Sequence, residues 1–267
     1  MQEMDDPLAD NSLLPTHFIA KKAREHVTVV LSGEGGDEFF YGYPRSFILN
    51  RMNGKLDARL GISERLYFAL PPFRAKNKLV EELFILLRGP IAFYLLTMTP
   101  ARDFLTQSAW LLAKHEIVGQ HISPASFDAE LYLDNDLLRK TDMATARVSL
   151  EGRMPLLDKD IVAAAQGSVG LPSSGILKPY LKKVLSHYLP PELVYRGKMG
   201  FGLKLATFFR QSPHIARDLP KAVSYLKERG LLDVAVPSTA VLMERYMQYS
   251  WQLIVLYRAL RTVEGIL

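Results

Sequence analysis

With 267 residues, 48% hydrophobic and 10% aromatic, the chain can bury a sizeable core, which excludes disorder as its default state. It holds no cysteine, which excludes a disulfide framework, a zinc–thiolate centre and a cysteine nucleophile, and fits a reducing cytoplasm. Its formal charge is +5, with seven Lys and Arg and one acid, Glu192, between Lys178 and Arg210. Such an island suits a polyanion, either a nucleoside triphosphate or a nucleic-acid backbone, or else forms a solvated helix face.

The first residues, Met1 to Asp6, are acidic where a secretory signal would be basic and then apolar. Thr16 is placed to cap a short helix running to about His26, with Phe18, Ile19 and Ala23 on one side. The unbroken run Val27 to Leu31 predicts a buried strand. Residues 51–125 predict a helical insertion with stops at Pro71-Pro72, Pro90 and Pro100. Its most apolar window, Leu83 to Met98, is interrupted by Arg88-Gly89-Pro90 and is too short to span a bilayer. Ala129 to Leu150 predicts a further helix. Leu177, Leu181, Val184, Leu185 and Tyr188 recur at helical spacing, with Pro179 in the first turn and Pro190-Pro191 as the stop. A last helix over 239–263 sets Leu242, Tyr246, Leu253, Leu256 and Leu260 on one stripe. One strand among so many helices lacks the neighbours that a parallel-type strand needs, so sheet partners are expected to be missing.

Three segments carry chemistry. Directly after the strand comes Ser32-Gly33-Glu34-Gly35-Gly36-Asp37-Glu38. Glycines at a strand end free backbone N–H groups to face an anion, and the acids among them make sense if magnesium lies between carboxylate and phosphate. A plain glycine turn with helix-capping acids is the structural alternative. The second segment runs from Leu137 through Lys140 and Asp142 to Glu151, Arg153 and Asp158. Read by itself, it forms structural ion pairs at a helix end. The third is Tyr195-Arg196-Gly197-Lys198-Met199-Gly200-Phe201-Gly202, where a lysine on a glycine-freed loop can reach a phosphate, or where a surface turn simply bends. The six histidines show no metal-ligand spacing.

Together these segments resemble the C-terminal half of the asparagine synthetase family and of its relatives that make β-lactams. The likeness begins at Asp5 to Ser12 and Leu14-Pro15-Thr16. It runs through Val29 to Glu38, Ser149 to Asp158, Lys178 to Lys183 and Lys198 to Gly202, and ends at Trp251 to Leu256.

The resemblance implies an α/β fold: part of an adenine-nucleotide alpha-hydrolase-like (Rossmann-like) synthetase domain, here predominantly helical with a short strand at about 27–31. Residues 1–50 would supply the strand and the metal and nucleotide loop, 51–125 the insertion, and 126–267 the helical part with the lysine loop. It implies ATP and Mg2+ as cofactors, adenylation of a carboxylate, and amidation by ammonia. Asp37 would be the metal ligand, and Glu34, Lys198, Asp142 and Glu151 the catalytic groups. Ser32, Gly33, Gly35, Gly36 and Lys178 would line the nucleotide. The partners implied are aspartate or a related carboxylate, ammonia from a glutaminase domain, and a homodimeric second copy, with no nucleic acid and no membrane. A non-catalytic module that keeps the fold is the alternative reading.

The chain departs from the family pattern at Tyr41, Gly152, Met154, Leu156 and Gly197. The Ser-Gly-Gly-x-Asp-Ser pyrophosphate loop and the glutaminase cysteine do not occur in it. The expectation is a fragment that binds ATP poorly by itself.

Overall fold

The computed structural model describes residues 7–45, 98, 128–168, 176–197, 200–232 and 236–265. The insertion expected over 51–125 lies outside them, Met98 apart. In chain order the elements are α1 (Leu13–Arg24), β1 (Val29–Leu31), a π-helical segment (Asp128–Leu138) running into α2 (Arg139–Ala146), and β2 (Glu151–Arg153). A 3-10 turn (Pro155–Leu157), α3 (Lys159–Ser168), α4 (Pro179–Leu185) and α5 (Pro191–Val194) follow. The chain ends in α6 (Leu205–Gln211), α7 (Pro213–Ala216), α8 (Asp218–Glu228), α9 (Thr239–Arg245) and α10 (Met247–Val263). These group into two bodies, one of residues 1–32, 134–153 and 198–267, the other of residues 33–133 and 154–197.

In the first body α1 starts earlier than its sequence suggested. Ser12 precedes the first turn, and Thr16 lies inside the helix with its hydroxyl donating to the Ser12 carbonyl oxygen at 2.8 Å. The apolar face is reversed as well: Leu13 and Ala20 are buried, whereas Phe18 and Ile19 are 66% and 57% exposed. α1 packs on α2, where Ala144 is fully enclosed.

β1 has a partner after all. It pairs in parallel with β2, Val29 opposite Glu151 and Leu31 opposite Arg153, and the Ser32 N–H continues the ladder to the Arg153 carbonyl oxygen at 2.8 Å. Glu-Gly-Arg carries none of the apolar alternation by which a strand is recognised, so β2 was read as a helix end. The expected burial of the strand is also corrected, since Leu31 is 74% exposed. Two strands cannot cover each other's faces. The two-stranded parallel sheet among helices makes this an α/β chain.

α8, α9 and α10 enclose the apolar centre of the first body, with Leu219, Leu226, Leu242 and Ile254 wholly buried. The helix expected over 239–263 is broken at Tyr246, whose φ of −131° and ψ of 44° leave the helical region. The break rotates the stripe, so Leu242 and Leu253 are buried but Leu256 is exposed.

In the second body, turns over 34–41 lead from the glycine loop to Phe40, which is buried with Ala165 of α3. Phe39, Tyr41, Leu156 and Leu181 pack around them. Pro179 stands in the first turn of α4 as anticipated. Of the predicted stripe, Val184, Leu185 and Tyr188 are exposed, because α4 is only two turns long and Leu181 alone reaches this core. Pro191 opens α5 rather than only ending α4. Among the described residues no helix is long and apolar enough to cross a membrane.

Candidate functional site

The glycines of the loop in the second body do different work. Gly35 has φ +87°, a backbone that side chains rarely adopt, and a Cβ there would collide with Leu157. At Gly36 a Cβ would lie 2.9 Å from Leu156 Cδ1 and 3.1 Å from the Gly33 oxygen. Both are required by packing against the 3-10 turn. Gly33 has nothing within 4 Å of a Cβ, so the open side of the loop is at Gly33. Ser32 belongs to the strand ladder of the first body.

Asp37 and Lys178, predicted as metal ligand and nucleotide-side cation, meet directly, with Nζ 3.0 Å from Oδ2. The pair lies over Gly42, where a Cβ would strike the Asp37 carboxylate and the Lys178 side chain. The backbone supports it from below. Lys178 (φ +52°) and Tyr41 (φ +58°) are both left-handed, and the Lys178 N–H donates to the Tyr41 carbonyl oxygen at 3.2 Å. A tyrosine thus holds a conformation suited to the glycine that the family pattern has there.

Behind Asp37, Glu38 is buried and accepts a hydrogen bond from the Tyr43 hydroxyl at 2.6 Å. Burial pushes the Glu38 carboxyl above its ordinary value, and the phenol offsets this only in part. The Arg45 guanidinium lies 3.8 Å over the Tyr43 ring and reaches Asp128 Oδ1 with Nε at 2.9 Å and Nη2 at 2.6 Å. Glu34 is half-buried in the same loop.

The other predicted groups belong to the first body. Asp142 is exposed on α2. Glu151 is exposed and paired with Arg153, Oε1 to Nε 2.7 Å, which is the structural pairing its sequence suggests. Lys198 lies outside the described residues.

Sequence reasoning missed an acidic cluster here. Asp10 accepts from Lys140 Nζ at 2.8 Å, from the Ser12 N–H at 2.7 Å and from the Ser12 hydroxyl at 2.9 Å. The Asp136 carboxyl faces Asp10, and its Oδ1 is buried with no donor in reach. Burial, then the Asp10 charge, pushes the Asp136 carboxyl up to about 6. Asp10 moves the other way: burial raises it, but the Lys140 charge and the hydrogen bonds together hold it below the usual range. The signals for this cluster in the sequence were the placing of Asp10 inside a segment that carries the resemblance and of Lys140 in a segment read as structural ion pairs.

Among the described residues no three His, Cys, Asp or Glu side chains gather as a metal cage. A half-buried carboxylate at a glycine loop still fits magnesium that arrives with phosphates, because that ion takes one or two carboxylates and completes its shell with phosphate oxygens and water.

The chain is similar to known proteins along most of its length. It is 30% identical over 221 residues to Asparagine synthetase (glutamine-hydrolyzing) 1 of Bacillus subtilis, covering 74% of this chain and 34% of that protein. It is 29% identical over 240 residues to a Mycobacterium tuberculosis protein assigned by name to the same glutamine-hydrolysing asparagine synthetases, covering 78% and 34%. The chain therefore spans about a third of the length of the curated relatives it matches. No solved structure matches it significantly. The Asparagine synthase family model matches residues 1–259, taking in the glycine loop, the Asp37–Lys178 pair and the Asp10 cluster, and the chain belongs to that family.

Proposed function

We propose that the chain supplies nucleotide-handling groups of an ATP-dependent ligase that adenylates a carboxylate, aspartate or a close analogue, and amidates it with ammonia released from glutamine. The Asp37–Lys178 pair carries this reading: an acid of the glycine loop and a cation held 3.0 Å apart. The fold expected of such a domain, of the Rossmann-like alpha-hydrolase type, is consistent with a parallel ladder whose first strand leads into that loop. The family relatives named as glutamine-hydrolysing asparagine synthetases support the reaction class.

In this reading Asp37 would hold magnesium, which when bound would supply positive charge beside the phosphates. Lys178 stands beside Asp37 to meet a phosphate oxygen, and Lys198 neutralises charge that grows on the α-phosphate. Ser32, Gly33, Gly35 and Gly36 line the nucleotide side, where backbone N–H groups can face an anion. Glu34 contributes to the reacting centre, and Asp142 and Glu151 serve the substrate pocket. A cytoplasmic setting and a homodimeric second copy belong to the same reading.

The test is ATP-dependent amide formation by the full-length protein, unsubstituted and as Lys198→Ala. A fall of about a hundredfold in kcat is expected, in line with the loss of one transition-state charge contact. Unchanged amide formation would move the chain to the alternative, a non-catalytic module that keeps the synthetase fold.

A further inference from the structure

The tripeptide Asp10-Asn11-Ser12 belongs to the segment that carries the resemblance, and the chemistry above gives Asn11 no task. In the first body Asn11 holds the stretch that follows Lys198 and Met199 in the sequence. It grips Leu203 by both backbone groups: the Leu203 N–H donates to the Asn11 carbonyl oxygen at 3.1 Å, and Asn11 Nδ2 donates to the Leu203 carbonyl oxygen at 3.4 Å. The same Nδ2 donates to Gln248 Oε1 at 3.0 Å, while Gln248 Nε2 returns to the Ala9 carbonyl oxygen at 3.3 Å.

Gly202 completes the fit. A Cβ there would run into the Asn11 carboxamide, 3.0 Å from Cγ and closer still to Oδ1. Its φ is not positive, so it is space rather than backbone conformation that demands glycine. Asn11 is itself immobilised, because Asp10 is tied to Lys140 and to Ser12. Beyond Leu203 the chain is fixed again: Leu205 is buried, and Phe208 packs edge-on against Trp251 at 5.6 Å, one turn along α10 from Gln248.

We infer that Asn11 is a positioning residue for the stretch that follows Lys198 in the sequence, fixing the backbone at Gly202–Leu203. The catalytic half of this inference rests on the reading under Proposed function; the grip itself does not. An amide is needed because one side chain must donate to two oxygens. The isosteric carboxylate would set oxygen against the Leu203 carbonyl and against Gln248 Oε1.

Asn11→Asp therefore keeps the shape and removes the donor. Limited trypsin digestion of the 267-residue chain, read by mass spectrometry, should show cleavage after Lys198 accelerated by about tenfold relative to cleavage after Lys221 in α8. Faster amide exchange at Leu203 and a thermal midpoint that falls by only a few degrees should accompany it. Gly202→Ala should act in the same direction, and should be harmless when combined with Asn11→Gly, which empties the space the new methyl needs.

Unchanged cleavage and exchange in Asn11→Asp would overturn the grip. An equal penalty for Gly202→Ala in both backgrounds would do so as well. In the amide-forming assay Asn11→Asp should lower kcat by about tenfold with KM for ATP held within about twofold. A raised KM with kcat unchanged would refute a positioning role. Absence of amide formation by the unsubstituted full-length protein would sink the ligase reading and leave the digestion result to decide the grip.

Discussion

Asp136 offers the sharpest energetic prediction. It faces Asp10, which is paired with Lys140, and burial together with the Asp10 charge moves its carboxyl from 3.8 to about 6. That displacement corresponds to about 3 kcal/mol between its protonated and ionised forms. The folded-state value is raised, so the contribution is favourable below 3.8 and is lost as pH rises through about 6. Asp10 has the opposite sense: its stabilisation is present above 3.8 and fails only as pH falls below that.

Asp136→Asn replaces a strained carboxylate with a neutral isostere whose Nδ2 can donate to Asp10. At about pH 8 it should stabilise the fold by roughly 1–3 kcal/mol, the lower figure allowing for burial of the amide. At about pH 4.5, where the native carboxyl is protonated but the unfolded one is still largely ionised, the gain should be smaller by about 2 kcal/mol. Urea unfolding followed by circular dichroism at the two pH values measures both. Destabilisation at pH 8, or a change of the same size at both values, would refute the account of the cluster.

The remaining predictions concern the second body. Tyr41 is left-handed at φ +58°, so Tyr41→Gly should unfold within about 1 kcal/mol of the native chain, lost ring packing being offset by relieved strain. Tyr41→Ile should cost about 2 kcal/mol or more, and thermal denaturation in which Ile is the better tolerated would refute the argument. Arg45→Met removes the guanidinium that reaches Asp128, a residue 1% exposed, and should cost about 3 kcal/mol; adding Asp128→Leu should recover most of it. Chemical denaturation of the three proteins tests this, and a single-variant loss below about 0.5 kcal/mol would dismiss the buried pair as a stabilising contact.

The legible parts of the sequence were those with a strong local cause. Val29–Leu31 is apolar and β-branched, and it forms a strand; Pro179 fits a first turn, and α4 begins there. The glycines after β1 signalled a loop, but their neighbours Leu156 and Leu157 come from far along the chain, so the packing role of Gly35 and Gly36 was out of reach. β2 was invisible because Glu151, Gly152 and Arg153 pair through their backbones alone. The Tyr246 break was hidden by a continuous apolar stripe that suited one long helix equally well. At the site, Asp37 and Lys178 were named separately, and only folding shows that they touch. Asp10, Asn11 and Asp136 gave no pattern of their own, since each takes its meaning from a tertiary partner.

The ladder between β1 and β2 has a kinetic consequence. Val29 and Glu151 are more than a hundred residues apart, and parallel strands cannot be joined by a hairpin. Three backbone rungs must therefore close a very long loop before that closure is repaid, which places their formation late and makes it slow. The end of β1, from which Ser32 leads into the glycine loop, takes its final position only when that distant segment arrives. The end of the strand is thus set near the end of folding, and a nascent chain that stops short of Arg153 has no ladder.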